Sequence, residues 1–237
     1  MEKQKTPLGR FYDWLGVLLA VCLIMFSLTG KILFAPAEED AAVSAPAATS
    51  DGSVIVVDAG HGLPDGGAES PGGVKEAGLN LAVAKLVESG LQDAGFTVIM
   101  TRTGKNALDK TKREDMAARR AIMRTDGVSA VVSIHMNKFR DPVVRGPMVF
   151  YMKGSAKGEW LAASVIENVC RSIGDPKRNA NPGDYYVLRE SVAPAVIVEC
   201  GFLSNPADER LLQDKAHQEK LACGIAAGIA AYFAADR

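Results

Sequence analysis

Four side chains in this sequence have the types and spacing for hydrolytic chemistry. His61 stands in Val57-Asp58-Ala59-Gly60-His61-Gly62, directly after a β-branched run, and His135 stands in Ser133-Ile134-His135-Met136-Asn137, after another apolar run. Glu199 closes the run Ala195-Val196-Ile197-Val198, and Glu76 ends Gly72-Gly73-Val74-Lys75-Glu76, just before a long helical pattern. Only 3 histidines occur in the 237 residues, and two of them fall at predicted strand ends. Two imidazoles and a carboxylate are a recurrent ligand set for catalytic zinc, leaving a fourth position for water. Each residue alone has a plainer reading. A single histidine at a strand end is commonly a hydrogen-bonded structural group, and Glu76 could simply favour a helix N-terminus through the dipole. Glu199 is harder to explain as structure. A half-buried carboxylate needs a partner, which would be Arg102 or Arg189 in a structural role and an activated water in a catalytic one.

Other groups that could carry chemistry read as structure. His217 lies in Asp214-Lys215-Ala216-His217-Gln218, a solvated stretch. The glycines at 60, 62, 66, 67, 72 and 73 precede no Gly-Lys-Ser/Thr, so they do not make a phosphate loop. They let the backbone turn tightly around a ligand-bearing loop. The basic cluster Lys110, Lys112, Arg113, Arg119, Arg120 and Arg124 is interleaved with Asp109, Glu114 and Asp115 and reads as a solvated helix face. Cys200 alternates away from Glu199 into the core. The four cysteines are too scattered for a disulfide scaffold or a cysteine-based zinc module. A net charge of -1 argues against a nucleic-acid binder.

These residues must be placed by a sheet. Val54 to Val57 is a continuous β-branched run, as in a strand buried on both faces. Leu79, Val83, Leu86, Val87, Leu91 and Ala94 fall at helical spacing, and Gly95 suits the C′ position that ends the helix. Phe96 to Met100 is a second strand, followed by a charged helix over Arg113 to Arg124. Ala130 to Ile134, Met148 to Met152, Tyr185 to Leu188 and Ala195 to Val198 complete six expected strands. A helix at about Lys157–Arg171 and a closing helix striped by Leu221, Ile225, Ile229 and Phe233 complete the pattern. The expectation is an α/β domain: a six-stranded, largely parallel mixed sheet flanked by helices on both faces. Reactive groups in such sheets gather at the carboxyl ends of the strands.

The first 52 residues have a different character. Trp14 to Gly30 carries no charge, and the apolar run continues past Lys31 to Ala35. Lys3, Lys5 and Arg10 precede it, while Glu38, Glu39 and Asp40 follow. The expected organisation is a cytoplasmic N-terminus (1–13), a transmembrane signal anchor (14–35) with the rest of the chain outside the cytoplasm, a flexible linker (36–52) and a catalytic domain (53–237). A signal peptide cut after Ala35-Pro36-Ala37, giving a secreted protein, is the competing reading. The proline in that site and the long apolar run favour the anchor.

The motifs around His61, Glu76, His135 and Glu199, with Met100-Thr101-Arg102 and the continuation Phe202-Leu203-Ser204-Asn205, resemble those of the zinc-dependent N-acetylmuramoyl-L-alanine amidases over about residues 53–235. One anchor, a short tether and no wall-binding repeats make the layout similar to the membrane-anchored spore-cortex amidases. The resemblance implies that His61, Glu76 and His135 hold Zn2+ and that Glu199 is the catalytic carboxylate. It implies peptidoglycan as substrate and a role in muramic lactam formation and germination. Asp58 and backbone carbonyls are candidates to orient the imidazoles, and Asn137 and Arg189 are candidates to touch glycan or stem peptide. The need for an activating protein partner is left open. Ala59 departs from the proline of many relatives, and Gly67-Ala68-Glu69-Ser70-Pro71 also differs from common relatives. Two other classes compete. A non-catalytic wall-binding protein of the same fold has no use for a buried carboxylate at the metal, and a zinc peptidase of another fold would pair its histidines at helical spacing, which is absent here.

Overall fold

The structure, a computed structural model, describes residues 52–235. The expected cytoplasmic segment, the anchor and nearly all of the linker lie outside the described residues. Among those described, no helix is long and apolar enough to cross a membrane.

Six strands form one sheet: β1 (Val54–Ala59), β2 (Thr97–Met100), β3 (Val128–Asn137), β4 (Met148–Met152), β5 (Asn181–Gly183) and β6 (Ala195–Phe202). Their spatial order is β2-β1-β3-β6-β4-β5. The first four in that order run parallel, β4 is antiparallel to β6, and β5 runs parallel to β4. From β1 the chain crosses outward to β2 and then returns to the other side of β1 for β3. The carboxyl ends of β1 and β3 therefore flank a topological switch point, where open α/β sheets leave a crevice.

Helices α1 (Glu76–Asp93), α3 (Ala156–Ile173) and α6 (Lys215–Ala235) cover one face, where Leu79, Val83, Val165, Leu221 and Ile225 pack on Ile55, Val57, Val132 and Val198. Helices α2 (Lys112–Met123) and α4 (Tyr186–Glu190) cover the other, where Met123, Val187 and Leu188 meet Val56, Val131 and Ile197. Residues of β1 thus alternate between two cores, which is why the run at its start is apolar without interruption. A further short helix, α5 (Pro206–Gln213), joins β6 to α6.

Helix ends follow local chemistry. Gly95, at φ +85°, closes α1 with its N–H on the Gln92 carbonyl. Thr111 caps α2: its hydroxyl oxygen accepts from the Glu114 N–H, and the hydroxyl donates to the Glu114 carboxylate. Asn205 caps α5 by accepting from the N–H groups of Ala207 and Asp208, with Pro206 in the first turn.

Three expectations are corrected. Tyr185 to Leu188 is not a strand: Tyr186–Glu190 is helix α4, and the fifth strand is Asn181–Gly183. A four-residue apolar run carries too little periodicity to separate the two, and a helix buries both Val187 and Leu188 against the sheet. Pro182 is tolerated because β5 is an edge strand. Secondly, β3 and β6 extend past the expected ends at Ile134 and Val198 to Asn137 and Phe202, so His135 and Glu199 lie within the strands and not at their tips. Finally, α5 was not anticipated, although Asn205-Pro206 is a legible helix start.

The pale, alanine-rich stripe of α6 has a packing cause. A Cβ on Gly228 would lie 2.5 Å from the Val165 Cα, and one on Gly224 would lie 2.7 Å from the Val169 Cα, so α6 and α3 meet backbone to backbone. The Ser164 hydroxyl donates to the Gly228 carbonyl at 2.7 Å across the same contact. Gly228→Val is expected to lower stability by about 2 kcal/mol or more, read as a reduced urea midpoint with the slope unchanged.

Candidate active site

The sequence pattern along three neighbouring strands sends polar groups to one place. Asp58 follows Val56 on the α2/α4 side of β1, Ser133 and His135 follow Val131 on β3, and Glu199 follows Ile197 on β6. The β3–β6 register pairs His135 with Glu199 directly. His61 lies in the loop after β1, and Glu76 opens α1 behind it.

The four predicted residues do converge. His61, Glu76 and His135 each offer a ligand atom, all within 4.8 Å of one another. The two imidazole centroids are 5.0 Å apart and nearly perpendicular. His61 Nε2 lies 3.3 Å from Glu76 Oε2, and His135 Nδ1 lies 2.8 Å from Glu76 Oε1. The Glu76 carboxylate is 3% exposed and also accepts from the N–H of Ala68 (2.7 Å), the N–H of Met136 (3.1 Å) and Asn80 Nδ2 (3.0 Å). Burial would raise its pKa, but the bonds from His135 and His61 overcome that and hold the carboxyl well below the usual range. It is an anion at any physiological pH.

Space for the imidazoles is created by glycine. A Cβ on Gly60 would sit 2.3 Å from the His135 ring. One on Gly67, whose φ is +70°, would sit 2.5 Å from Glu76 Oε2 and 2.7 Å from His61 Cδ2. The glycine-rich loop therefore packs its backbone against the ligand cluster.

Asp58 does not orient either imidazole, contrary to expectation. It is fully enclosed and accepts from Arg119 Nη1 (2.6 Å), Thr101 Oγ1 (2.8 Å) and the Ser133 hydroxyl. The residue that orients His61 is Asp65, whose Oδ2 lies 3.0 Å from His61 Nδ1. Asp65 is itself held by the Gly67 N–H at 3.0 Å and by Lys112 Nζ at 3.4 Å. A carboxylate four residues after a ligand histidine was the available signal, hidden by the intervening Gly62-Leu63-Pro64.

Arg119 is the largest departure from the expected solvated helix face. It is 2% exposed and bridges Asp58 and Asp115. It also donates to the carbonyls of Ala59 and His61. Arg102 donates to the carbonyls of Ala59, Gly60, Ala77 and Gly104. Neither Arg102 nor Arg189 pairs with Glu199: Arg189 binds Asp184 near the rim. His61 adopts φ +59°, a left-handed conformation for a residue with a Cβ, and Arg119 holds its carbonyl there. His217 is half-buried, not fully solvated, and burial moves its pKa down against the pull of Asp208 and Asp214.

Glu199 Oε2 is enclosed and has no hydrogen-bond partner among the described residues. Burial pushes its pKa up to about 7, with His135 pulling the other way. A carboxyl poised near neutrality beside two imidazoles and a carboxylate is what general acid–base catalysis needs. Neighbouring Cys200 is buried in the opposite core, and burial raises its thiol pKa, so it is no nucleophile. A cleft of about 290 Å³ opens in front of Glu199, His61 and His135, with Met116, Tyr185, Val187 and Ile197 in its wall. Asn137 is half-buried, its carbonyl accepting from Leu203 N–H, and does not line that cleft.

The Amidase_3 family model, N-acetylmuramoyl-L-alanine amidase, matches residues 55–231, which contain all four site residues. The chain belongs to this amidase family. It is 31% identical over 229 residues to the germination-specific N-acetylmuramoyl-L-alanine amidase of Bacillus subtilis, covering 93% of this chain and 94% of that one. Among solved structures it resembles the CwlD amidase from Clostridioides difficile in complex with the GerS lipoprotein, with a TM-score of 0.74 and 32% identity over 78% of this chain and all of that one. The catalytic domain of CwlV from Bacillus (Paenibacillus) polymyxa gives a TM-score of 0.69 at 32% identity over 77% of this chain and 98% of that one. The family shows the chain to be an amidase.

The Asp58–Arg119–Asp115 cluster makes a stability prediction. Burial would raise the Asp58 pKa, but Arg119 and the two hydroxyls lower it below its ordinary 3.8. A depressed carboxyl contributes stability above its unfolded value and loses it as pH falls through the folded one. Asp58→Ala is expected to cost about 3 kcal/mol at pH 7, with the gap to the parent protein narrowing below about pH 4, as measured by urea unfolding across pH.

Proposed function

We propose that this chain hydrolyses the amide between the lactyl group of N-acetylmuramic acid and L-alanine of the peptidoglycan stem peptide, using zinc held by His61, Glu76 and His135. The observation that carries this reading is the convergence of those three ligand atoms beside an unpartnered, enclosed carboxyl oxygen of Glu199. The residues fit a zinc ion. Two nitrogens and a carboxylate oxygen suit its ligand preferences, backbone N–H groups fix the carboxylate, and Asp65 fixes one imidazole through its second nitrogen. The glycines at 60 and 67 keep the cluster free of Cβ atoms.

Zinc bound there would supply the Lewis acidity that makes water nucleophilic near neutral pH and polarises the scissile carbonyl. The protein supplies the rest. Glu199 accepts a proton from the attacking water at Oε2 and delivers it to the leaving amine of L-alanine. A pKa near neutrality suits both directions of that transfer. The β3 and β6 backbones hold His135 and Glu199 side by side, so the base needs no reorganisation to meet the water.

The match to the germination-specific amidase over nearly the full length of both chains supports a role in spore-cortex maturation, where the freed muramic acid closes to muramic lactam, and in germination. In this reading residues 14–35 anchor the protein in the cell membrane with the catalytic domain outside, where peptidoglycan lies. An accessory protein at that surface fits too, since the similar Clostridioides difficile amidase is a complex with a lipoprotein.

The full chain incubated with peptidoglycan is expected to release stem peptides with a new N-terminal alanine. Glu199→Gln should keep its zinc by metal analysis while losing cleavage by about two orders of magnitude or more. Zinc retention with full activity would remove the role given to Glu199. His135→Ala should lose the metal itself. Asp65→Ala is expected to weaken zinc binding by about 10- to 100-fold in chelator competition.

A further inference from the structure

Tyr185 is an aromatic group at the catalytic cleft that the hydrolytic machinery does not use. It lines the same cleft as Glu199 yet is 44% exposed, whereas Val187 and Ile197 beside it are 6% exposed. Its ring is held along one edge. A Cβ on Gly183 would come within 2.5 Å of Cε2 and 2.8 Å of Cδ2, so that edge packs on a residue with no side chain. The Phe150 ring meets it edge-on at 5.2 Å between centroids. The Tyr185 carbonyl is fixed by the N–H of Arg189 in the first turn of α4. An aromatic ring packed along one edge yet still open to the cleft is held in place, not a loose surface residue.

We propose that Tyr185 is a substrate-binding platform for the muramoyl side of the substrate, stacking on the C–H face of a pyranose ring in the glycan strand next to the scissile amide. The inference rests on the amidase reading. Charge decides between glycan and stem peptide. Tyr185 shares the cleft with Glu199 and follows the exposed Asp184, which already pairs with Arg189. Among the described residues, the two cations that line this cleft, Lys112 and Arg119, are already held by carboxylates, Asp65 for the first and Asp58 and Asp115 for the second. The cleft's exposed cation, Lys112, lies against Asp65 on the His61 side. A neutral sugar face suits the Tyr185 side, and an anionic peptide suits the other.

The test uses the full chain carrying Glu199→Gln, so that ligand is not consumed, with stem-free glycan strands and free stem peptide as separate probes. Stem-free strands should bind, and adding Tyr185→Ala should weaken that binding about five- to tenfold, while Tyr185→Trp restores it and Tyr185→Leu does not. Unchanged affinity, rescue by leucine, a loss confined to free stem peptide, or no binding of stem-free strands to the Glu199→Gln protein would each overturn the platform. In the parent background, Tyr185→Ala should raise KM on muramidase-solubilised peptidoglycan with kcat near the parent value. Absence of released N-terminal alanine from the parent protein would instead sink the amidase reading, leaving the glycan-binding result to decide Tyr185 on its own.

Discussion

Two buried guanidinium groups hold this site together. The chain leaving β1 at Ala59 must turn within two residues to aim His61, and the turn takes the carbonyls of Ala59, Gly60 and His61 out of the strand ladder. Each buried carbonyl left unmade would cost about 1–3 kcal/mol. Arg102 and Arg119 satisfy all three, sharing Ala59 between them. Burying two cations side by side is itself unfavourable, and Asp58 and Asp115 make it tolerable. The left-handed conformation of His61 persists because this frame over-determines it.

The frame also explains a division of labour between carboxylates. Glu76, Asp58 and Asp65 are all held by donors and stay ionised: one joins His61 to His135, one balances the arginines, and one orients His61. Glu199 is alone in receiving none at Oε2. Its environment pushes its pKa in the opposite direction from the other three, which sets it apart from the carboxylates that hold the frame. A buried oxygen left without a partner is uncommon in a folded protein, and a role in chemistry is one reason to keep it.

Much of this was visible along the chain. β-branched runs announced the strands, the 3.6-residue stripes announced α1 and α6, and period-two alternation placed Cys200 in the core opposite Glu199. The unusual placement of two of three histidines pointed to the site. Short elements were not legible: Tyr185 to Leu188 and Asn181 to Gly183 are too brief for periodicity to separate helix from strand, and burial against the sheet decided the first while pairing with β4 decided the second. Residues 1–51 have a clear compositional signature, while the described structure begins after them.

What the sequence determined by itself is which side chains share a face and which runs are buried, because pleat and helix pitch are local properties of the backbone. It therefore named His61, Glu76, His135 and Glu199. Only the tertiary structure decided what surrounds them. Arg119 looked like one more cation on a charged helix, Asp58 looked like a partner for histidine, and Tyr185 looked like part of a strand. Which charge is desolvated, and by whom it is neutralised, depends on segments tens of residues away arriving at the same few ångströms, and no local pattern encodes that arrival.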